Sequence, residues 1–201
     1  MENFMLIEAI RDGNRVNIIQ VIFDVRNDHD ATANLLAERN NVGDSPIICA
    51  IKKNYSYIAQ VLIGLDNTQE NYLAGNKTAL MYAAEKGNLE VVRTLINKEI
   101  DHLLDLQDNL GNTALMYAAR IGDQNIFEQL IIAGANVNIV NNANETAIDI
   151  ANANGHNMPD PQVVLDMHAL VQQMQNINLE ADNPAPPADL DNQHVDIVGE
   201  D

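Results

Sequence analysis

One heptapeptide occurs twice in this chain, and the distance between the two copies constrains the fold more than any other feature. Residues 78–84 and residues 113–119 both read TALMYAA, and the two copies start 35 residues apart. Weaker copies start at Ser45 and Thr146, which lie 33 residues before the first copy and 33 residues after the second. A unit of this length cannot bury its own apolar face, so the sequence predicts a stack of similar units.

Each copy is bracketed by residues that tolerate a positive φ angle. Nine positions after each leading Ser or Thr, and again two positions before it, the sequence has only glycine or asparagine: Asn54, Gly87, Gly122 and Gly155, and Gly43, Asn76, Gly111 and Asn144. The first set indicates the end of a short helix, and the second set indicates a tight turn. Apolar residues with helical spacing follow each helix end and predict a second helix. The predicted fold is all-α, a solenoid of stacked helix-turn-helix units with short hairpin-like turns.

This pattern resembles the ankyrin repeat, whose consensus is close to GxTPLHxAAxxG, followed by an apolar helix and GAxxN. Residues Gly111–Gly122 read GNTALMYAARIG, and residues Gly134–Asn138 read GANVN. The usual proline remains only as Pro46, and the usual histidine is replaced by Met81 and Met116. The resemblance implies an ankyrin solenoid whose turns and first helices line a concave face, and such a face usually binds a protein. Ankyrin proteins of the bacterial effector type are one part of this family.

The chain divides into four segments on this interpretation. We expect an N-terminal half repeat with its connecting segment at 1–42, ankyrin repeats at 43–157, a capping helix at 158–179 and a disordered acidic tail at 180–201. The tail is assigned from its acidic, proline-rich composition. Two alternatives stay open at this end: the helix binds a partner, or residues 195–198, VDIV, act as one of the short motifs that add a strand to ubiquitin-like modifiers.

Charge and composition exclude several classes of function. The chain has 29 acidic and 11 basic residues, a net charge of −18, which argues against nucleic acid or an anionic membrane as a partner. No apolar run approaches the roughly 20 residues of a membrane span, so we expect no membrane insertion. The single cysteine, Cys49, excludes a disulfide framework and fits a reducing compartment. We therefore expect a cytoplasmic protein, or one in a host cytosol if it is a delivered effector.

The sequence predicts no catalytic, cofactor-binding or metal site. Its five histidines have no metal-ligand spacing, and it contains neither GxxxxGK[ST] nor GxGxxG. Cys49 is interpreted as a buried, unreactive thiol, and His156 as a structural residue. Met81 and Met116 are interpreted as core residues, because a repeated core position explains them better than a soft-metal pair.

The concave face is the candidate site that remains, and the resemblance assigns residues to it by position. The two tyrosines of the repeated heptapeptide, with Lys86 and Arg120 beside them, form a hot spot if their rings project from the face. The alternative is that Tyr82 and Tyr117 only pack on each other along the stack. Two alternatives also remain for the basic residues assigned to this face. They form a basic stripe, or their charges are balanced by Glu85 and neighbouring acids. The five basic residues are Lys52, Lys53, Lys77, Lys86 and Arg120. The predicted partner-binding residues are Lys52, Lys53, Lys77, Tyr82, Glu85, Lys86, Leu110, Asn112, Tyr117, Arg120 and Ile121.

The predicted function is that of a non-enzymatic protein-protein interaction module, working as an adaptor, inhibitor or delivered effector. We expect a protein partner of unknown identity and a chain that is monomeric alone. Two alternatives remain. In the first, the chain is a substrate-recruiting subunit of an enzyme complex. In the second, its acidic half mimics nucleic acid and blocks a basic protein, since residues 121–201 contain 13 acidic residues and no Lys or Arg.

Overall fold

Eleven helices and one two-stranded hairpin make up the part of the chain that the computed structural model describes, residues 5–66, 73–74, 77–98 and 103–182. The strands β1 and β2 pair antiparallel, with Leu73 opposite Thr78. The elements in chain order are α1 Met5–Asp12, α2 Arg15–Val25, α3 His29–Leu36, α4 Pro46–Lys52, α5 Ser56–Leu65, β1 Leu73–Ala74, β2 Lys77–Thr78, α6 Ala79–Glu85, α7 Leu89–Ile96, α8 Ala114–Ile121, α9 Gln124–Ile132, α10 Ala147–Ala153 and α11 Pro161–Asp182.

The helices pair in chain order, and the pairs stack on one another. Helix α1 packs on α2, α4 on α5, α6 on α7, and α8 on α9. The first helices of the pairs form one row, α1, α4, α6, α8 and α10, and the second helices α5, α7 and α9 form another. Helix α3 is an additional element in the connection between the first two pairs. The all-α stack of helix pairs predicted from the repeat is confirmed.

The first helix of each repeat starts at the Ser or Thr that leads the repeat. The Thr78 hydroxyl accepts a hydrogen bond from the amide of Met81 at 3.1 Å, and the other three leading hydroxyls accept one from the amide three residues on. The Met81 sulfur accepts from the Thr78 amide in return, at 3.4 Å. A cap of this kind stabilises a helix by about 1 kcal/mol, so the repeated hydroxyl residue fixes where each first helix begins.

Residues with a left-handed backbone conformation lie at the ends of the first helices and in the turns, at the positions that the sequence predicts. The φ angles are 58° at Asn54, 65° at Gly87, 77° at Gly122 and 75° at Gly155. In the turns, φ is 85° at Gly43, 76° at Gly111 and 60° at Asn144, whereas Asn76 lies outside the described residues. At Gly122 a side chain is excluded on steric grounds as well, because a Cβ would lie 2.6 Å from Nδ1 of His156.

The core of the stack is built from alanine and branched aliphatic side chains. Ala50, Ala83, Ala118 and Ala151 occupy the same position in four successive first helices, and all four are fully buried. Short side chains at a helix contact allow the axes to lie close together, so these alanines set the spacing of the row. Two methionines of the first helices, Met81 and Met116, are buried as predicted, at 0% and 1% exposure.

The chain forms two compact units, Met1–Leu165 and Asp166–Asp201, and the C-terminal helix α11 contributes residues to both. Val164 belongs to the first unit and is part of its core. The helix continues to Asp182, three residues into the segment that was predicted as a tail. Residues 179–181, Leu-Glu-Ala, are good helix formers, and the first proline comes only at Pro184. The rest of the predicted tail, residues 183–201, lies outside the described residues, and the capping role of α11 stays a prediction.

Gly122→Ala should destabilise the protein more than Gly155→Ala. Both glycines have a left-handed backbone, so alanine at either position costs about 1–2 kcal/mol. A Cβ at Gly155 meets no atom within 4 Å, whereas a Cβ at Gly122 must displace the His156 ring. That ring donates from Nε2 to the carbonyl of Arg120 at 3.1 Å, and losing this bond adds about 1 kcal/mol. Urea unfolding of the two variants measures the difference.

A double-mutant cycle between Gly122→Ala and His156→Ala gives the control. Removing the ring should remove the steric conflict, so the two changes together should cost clearly less than the sum of their separate effects. Equal free energies of unfolding for Gly122→Ala and Gly155→Ala would show that the ring moves aside without cost.

Candidate functional site

A continuous groove runs along the row of first helices, on the side that the resemblance identifies as concave. Three neighbouring cavities of about 420, 500 and 470 Å³ follow one another from α1 to α10. The first and the middle cavity share Val42, Asp44 and Lys52 as walls, and the middle and the third share Leu110 and Arg120. Because the cavities share walls, they form one surface feature, which we call the inner groove.

Cations alternate with aromatic rings in the middle of the inner groove. The ammonium of Lys52 lies 4.5 Å from the ring centroid of Tyr82, and that of Lys77 lies 5.4 Å from the same centroid. Lys77 is also 4.1 Å from the centroid of Tyr117, and the guanidinium carbon of Arg120 is 4.2 Å from it. We call these five residues the cation–ring row. Each such contact contributes about 0.5–1 kcal/mol near a surface.

The register of the repeats produces the cation–ring row. Tyr82 and Tyr117 occupy the same position in α6 and α8. Lys77 comes from the short strand β2, and Lys52 and Arg120 come from the last turns of α4 and α8. These five members of the predicted site are therefore brought together by the stacking.

Tyr117 is buried, so its ring does not project from the face. The residue is 1% exposed, and its hydroxyl donates to Oδ2 of Asp108. The other oxygen of Asp108 accepts from the amides of Leu110 and Asn112 at 2.9 and 2.8 Å. Burial, together with the bond to Asp108, raises the pKa of the Tyr117 hydroxyl. The ring is a packed wall of the groove and contacts Lys77 and Arg120, whereas Tyr82 is only half-buried.

Two of the predicted basic residues have acidic partners inside the protein. Lys52 pairs with Asp44 at 2.6 Å, and Lys77 pairs with Glu85 at 3.0 Å. Burial lowers the pKa of Lys77, but its hydrogen bonds to Tyr117 and Glu85 outweigh this effect and raise the pKa above the usual value. Charge balance therefore describes these two lysines better than an uncompensated basic stripe.

The other predicted residues differ in their relation to the groove. Leu110 is 62% exposed at a turn tip and lines two cavities, and Lys53 is exposed and lines the first. Asn112 is buried, contrary to expectation, since its Oδ1 accepts from Asn141 of the next turn at 3.2 Å. Lys86 and Ile121 are exposed at the ends of the first helices and line none of the three cavities in the described chain.

The sequence analysis missed the residues that hold the turns. Oδ1 of Asn40, Asp108 and Asn141 each accepts two hydrogen bonds, from the amides two and four residues further on. All three stand five positions before the Ser or Thr that leads a repeat, which is the signal that could have found them. In the second repeat this position is Leu73, and the β1–β2 hairpin forms there instead.

Cys49 lines the first cavity as a half-buried free thiol. Burial, followed by the charge of Asp44, raises its pKa to about 11. The thiol is therefore protonated at neutral pH, which agrees with the predicted lack of reactivity, although the side chain is less buried than expected. Within the described residues, no group of three or more His, Cys, Asp and Glu side chains is placed to hold a metal ion.

Comparison with known proteins identifies the repeats. The family model described as ankyrin repeats (3 copies) matches residues 6–104 and 68–141. The chain belongs to the ankyrin-repeat family. Ankyrin repeats are in general protein–protein interaction modules and are typically not catalytic. Among the residues that the structure describes, no helix has the length and apolarity needed to cross a membrane.

Several curated proteins are similar to this chain. It is 32% identical over 115 residues to dauer abnormal formation protein 25 of Caenorhabditis elegans, an alignment that covers 56% of this chain and 29% of the relative. It is 27% identical over 124 residues to a putative ankyrin repeat protein of Rickettsia bellii, covering 60% and 71%. Ankyrin repeat domain-containing protein 29 of Danio rerio is 39% identical over 62 residues, covering 30% and 20%. The chain thus spans less than a third of the worm and fish relatives.

Tyr117→Phe should destabilise this ankyrin stack more than Tyr82→Phe. The first change leaves a carboxylate oxygen of Asp108 without its hydroxyl donor, and a hydrogen bond to a charged group contributes about 1.5–3 kcal/mol. Tyr82 is half-buried beside Lys52, so loss of its hydroxyl should cost below about 0.5 kcal/mol. Urea unfolding measures both free energies. Equal effects would show that water replaces the Tyr117 hydroxyl at Asp108.

Cys49 should react with iodoacetamide at pH 8 at least ~10-fold more slowly than a cysteine in a model peptide. A pKa of about 11 leaves a thiolate fraction roughly 200-fold smaller, and the higher nucleophilicity of a more basic thiolate offsets only part of this difference. The rate in the folded protein should keep rising towards pH 11, and it should level off near pH 8.5 in urea. A plateau near pH 8.5 in the folded protein would contradict the raised pKa.

Proposed function

We propose that this chain is a non-enzymatic adaptor or inhibitor that binds a protein partner in the inner groove. The observation that carries the proposal is the continuity of the groove, in which three cavities share walls along five first helices. A small molecule needs one concave pocket that covers most of its surface. An open groove that passes from repeat to repeat suits a polypeptide.

The groove is rigid before binding, which favours affinity. Its turns are held by the hydrogen bonds of Asn40, Asp108 and Asn141. Its two tyrosine rings are held by the cations of the cation–ring row. Because these groups are already ordered, association costs little further conformational entropy. The binding free energy then comes mainly from the exposed side chains that the groove presents.

Two exposed apolar side chains at turn tips are the best candidates for contact residues. Val42 is 72% exposed and Leu110 is 62% exposed, and both line the middle cavity. Tyr82, half-buried between Lys52 and Lys77, adds an amphipathic surface. In this proposal the remaining members of the predicted set, Lys53, Lys86 and Ile121 among them, contribute at the rim.

The cellular setting belongs to the same proposal. A single free thiol fits a reducing compartment, so we place the protein in the cytoplasm, or in a host cytosol if it acts as a delivered effector. We expect the chain to be monomeric until it meets its partner. Analytical ultracentrifugation of the purified chain checks the second expectation.

A paired-variant capture experiment tests the proposed site. Full-length wild type, the groove variant Val42→Asp/Leu110→Asp and the outer variant Val16→Asp/Tyr57→Asp serve as baits. Val16 and Tyr57 are also exposed, at 76% and 71%, but belong to the second helices α2 and α5. Proteins that bind wild type directly should bind the groove variant at least tenfold more weakly, because loss of an anchor commonly costs over ~1–2 kcal/mol.

The outer variant is the control for general effects of added charge. It should keep the same bound proteins, and all three baits should have similar melting curves, since exposed positions rarely affect stability. A captured protein that is lost from the outer variant and kept by the groove variant would place the binding site on α2 and α5. Dissociation constants with each purified protein complete the measurement.

A further inference from the structure

The acidic side chains in the middle and third cavities are already bonded within the protein. Asp44 pairs with Lys52, and Asp108 accepts from the Tyr117 hydroxyl and two backbone amides. Oε2 of Glu145 accepts from the side-chain amide of Asn141 at 3.0 Å. Asp44 and Asp108 therefore have little capacity left for a basic ligand, whereas the bond from Asn141 occupies one oxygen of Glu145.

Arg120 is different from the other charged residues of the middle and third cavities. It lines both the middle and the third cavity, and within the described residues no carboxylate lies within 4 Å of its guanidinium. Its side chain interacts with the Tyr117 hydroxyl. A guanidinium held against a ring keeps in-plane N–H groups available, and their fork geometry matches a carboxylate.

The protein holds Arg120 in place at both ends. His156 donates to its carbonyl at 3.1 Å, and the Tyr117 ring lies 4.2 Å from its guanidinium carbon. Tyr117 is itself fixed by Asp108, whose other oxygen is tied into the turn. An arginine positioned in this way loses little side-chain entropy when it binds an anion.

The two cavities that Arg120 lines also contain an exposed apolar side chain. Leu110 lines the same two cavities as Arg120 and is 62% exposed. A ligand that reaches Arg120 along the groove therefore also meets this leucine. The two residues together present one cationic fork and one apolar surface.

We propose that Arg120 is the anchor for a carboxylate side chain of the partner, and that the occupant of the inner groove is an acidic polypeptide segment. An Asp or Glu of that segment binds the guanidinium as a bidentate pair, and a neighbouring apolar side chain packs on Leu110. This inference rests on the proposed function and adds the chemistry of the partner. The net charge of −18 repels acidic molecules at long range, so the proposed binding depends on the local contacts of Arg120 and Leu110 and not on the charge of the whole chain.

A peptide-display selection tests the inference. A random twelve-residue library is selected on immobilised full-length protein, and individual peptides are then measured by fluorescence anisotropy. Wild type should enrich peptides that contain Asp or Glu next to an apolar residue. Arg120→Gln should weaken these peptides at least tenfold, and Arg120→Lys, which keeps the charge but loses the fork, should weaken them less. The Nε–H resonance of Arg120 should shift when a selected peptide is added.

Arg93→Gln is the matched control. Arg93 is an exposed arginine on the second helix α7, so its removal changes the net charge equally and leaves the groove intact. Peptides should bind this variant as they bind wild type. Thermal unfolding of each variant shows whether the fold is retained, and Arg120→Lys keeps the test valid if Arg120→Gln is destabilised.

The possible failures point to different conclusions. One outcome is a set of peptides that lose binding to Leu110→Asp but have no preference for acidic residues, or that bind Arg120→Gln as tightly as wild type. This result would overturn the role of Arg120 as an anchor and would leave the groove as the binding site. Selection of basic peptides whose affinity is the same for wild type and Arg120→Gln would overturn the inference, and it would indicate that the acidic surface of the protein binds them. Acidic peptides insensitive to Leu110→Asp and Val42→Asp would contradict the proposed function as well. A selection that yields no peptide binding below ~100 µM would overturn the acidic-segment inference alone, since such a segment should suffice.

Discussion

The rest of the structure depends on the packing of the first helices against one another through alanine. A two-helix unit leaves most of its apolar surface exposed, and only a neighbouring unit can cover it. The buried column Ala50, Ala83, Ala118 and Ala151 lets successive first helices approach closely, so that one core continues from repeat to repeat. The same packing fixes the register between repeats. Side chains at equal positions therefore form rows, and the cation–ring row of the groove is one of them.

Polar side chains that reach across repeats reinforce this register. Asn88 donates to the hydroxyl of Ser56 at 2.8 Å, and Asn142 donates to the carbonyl of Asn109 at 2.9 Å, each about one repeat away. The His156 bond to the Arg120 carbonyl links the last repeat to the one before it. In most ankyrin repeats a histidine ties neighbouring turns together. Here asparagine side chains connect the last two turns, and methionine has taken the histidine position in the core.

Electrostatics separates the groove from the remainder of the molecule. The chain is strongly acidic, yet the carboxylates of the middle and third cavities bond to lysine, tyrosine, asparagine or the backbone. Lys52 and Lys77 are held beside aromatic rings and acids, which fixes the walls of the groove without giving it a large net charge. Arg120 differs from these two lysines, because no carboxylate among the described residues lies within 4 Å of its guanidinium.

The sequence by itself determined the repeat, the capping residues and the left-handed positions, because each of these follows from local backbone preference and from a fixed spacing. The tertiary structure alone decided which residues of the predicted set line the inner groove and are exposed there. Tyr82 and Tyr117 are identical in sequence context, but only Tyr117 has an acid five residues before its repeat begins, so it is bonded and buried. Lys52 and Lys77 have acidic neighbours, and Arg120 has none among the described residues. The three bonded pairs join residues eight or nine positions apart within a repeat, so the sequence supplies the partners, but only the folded turns and helices bring their side chains within bonding distance.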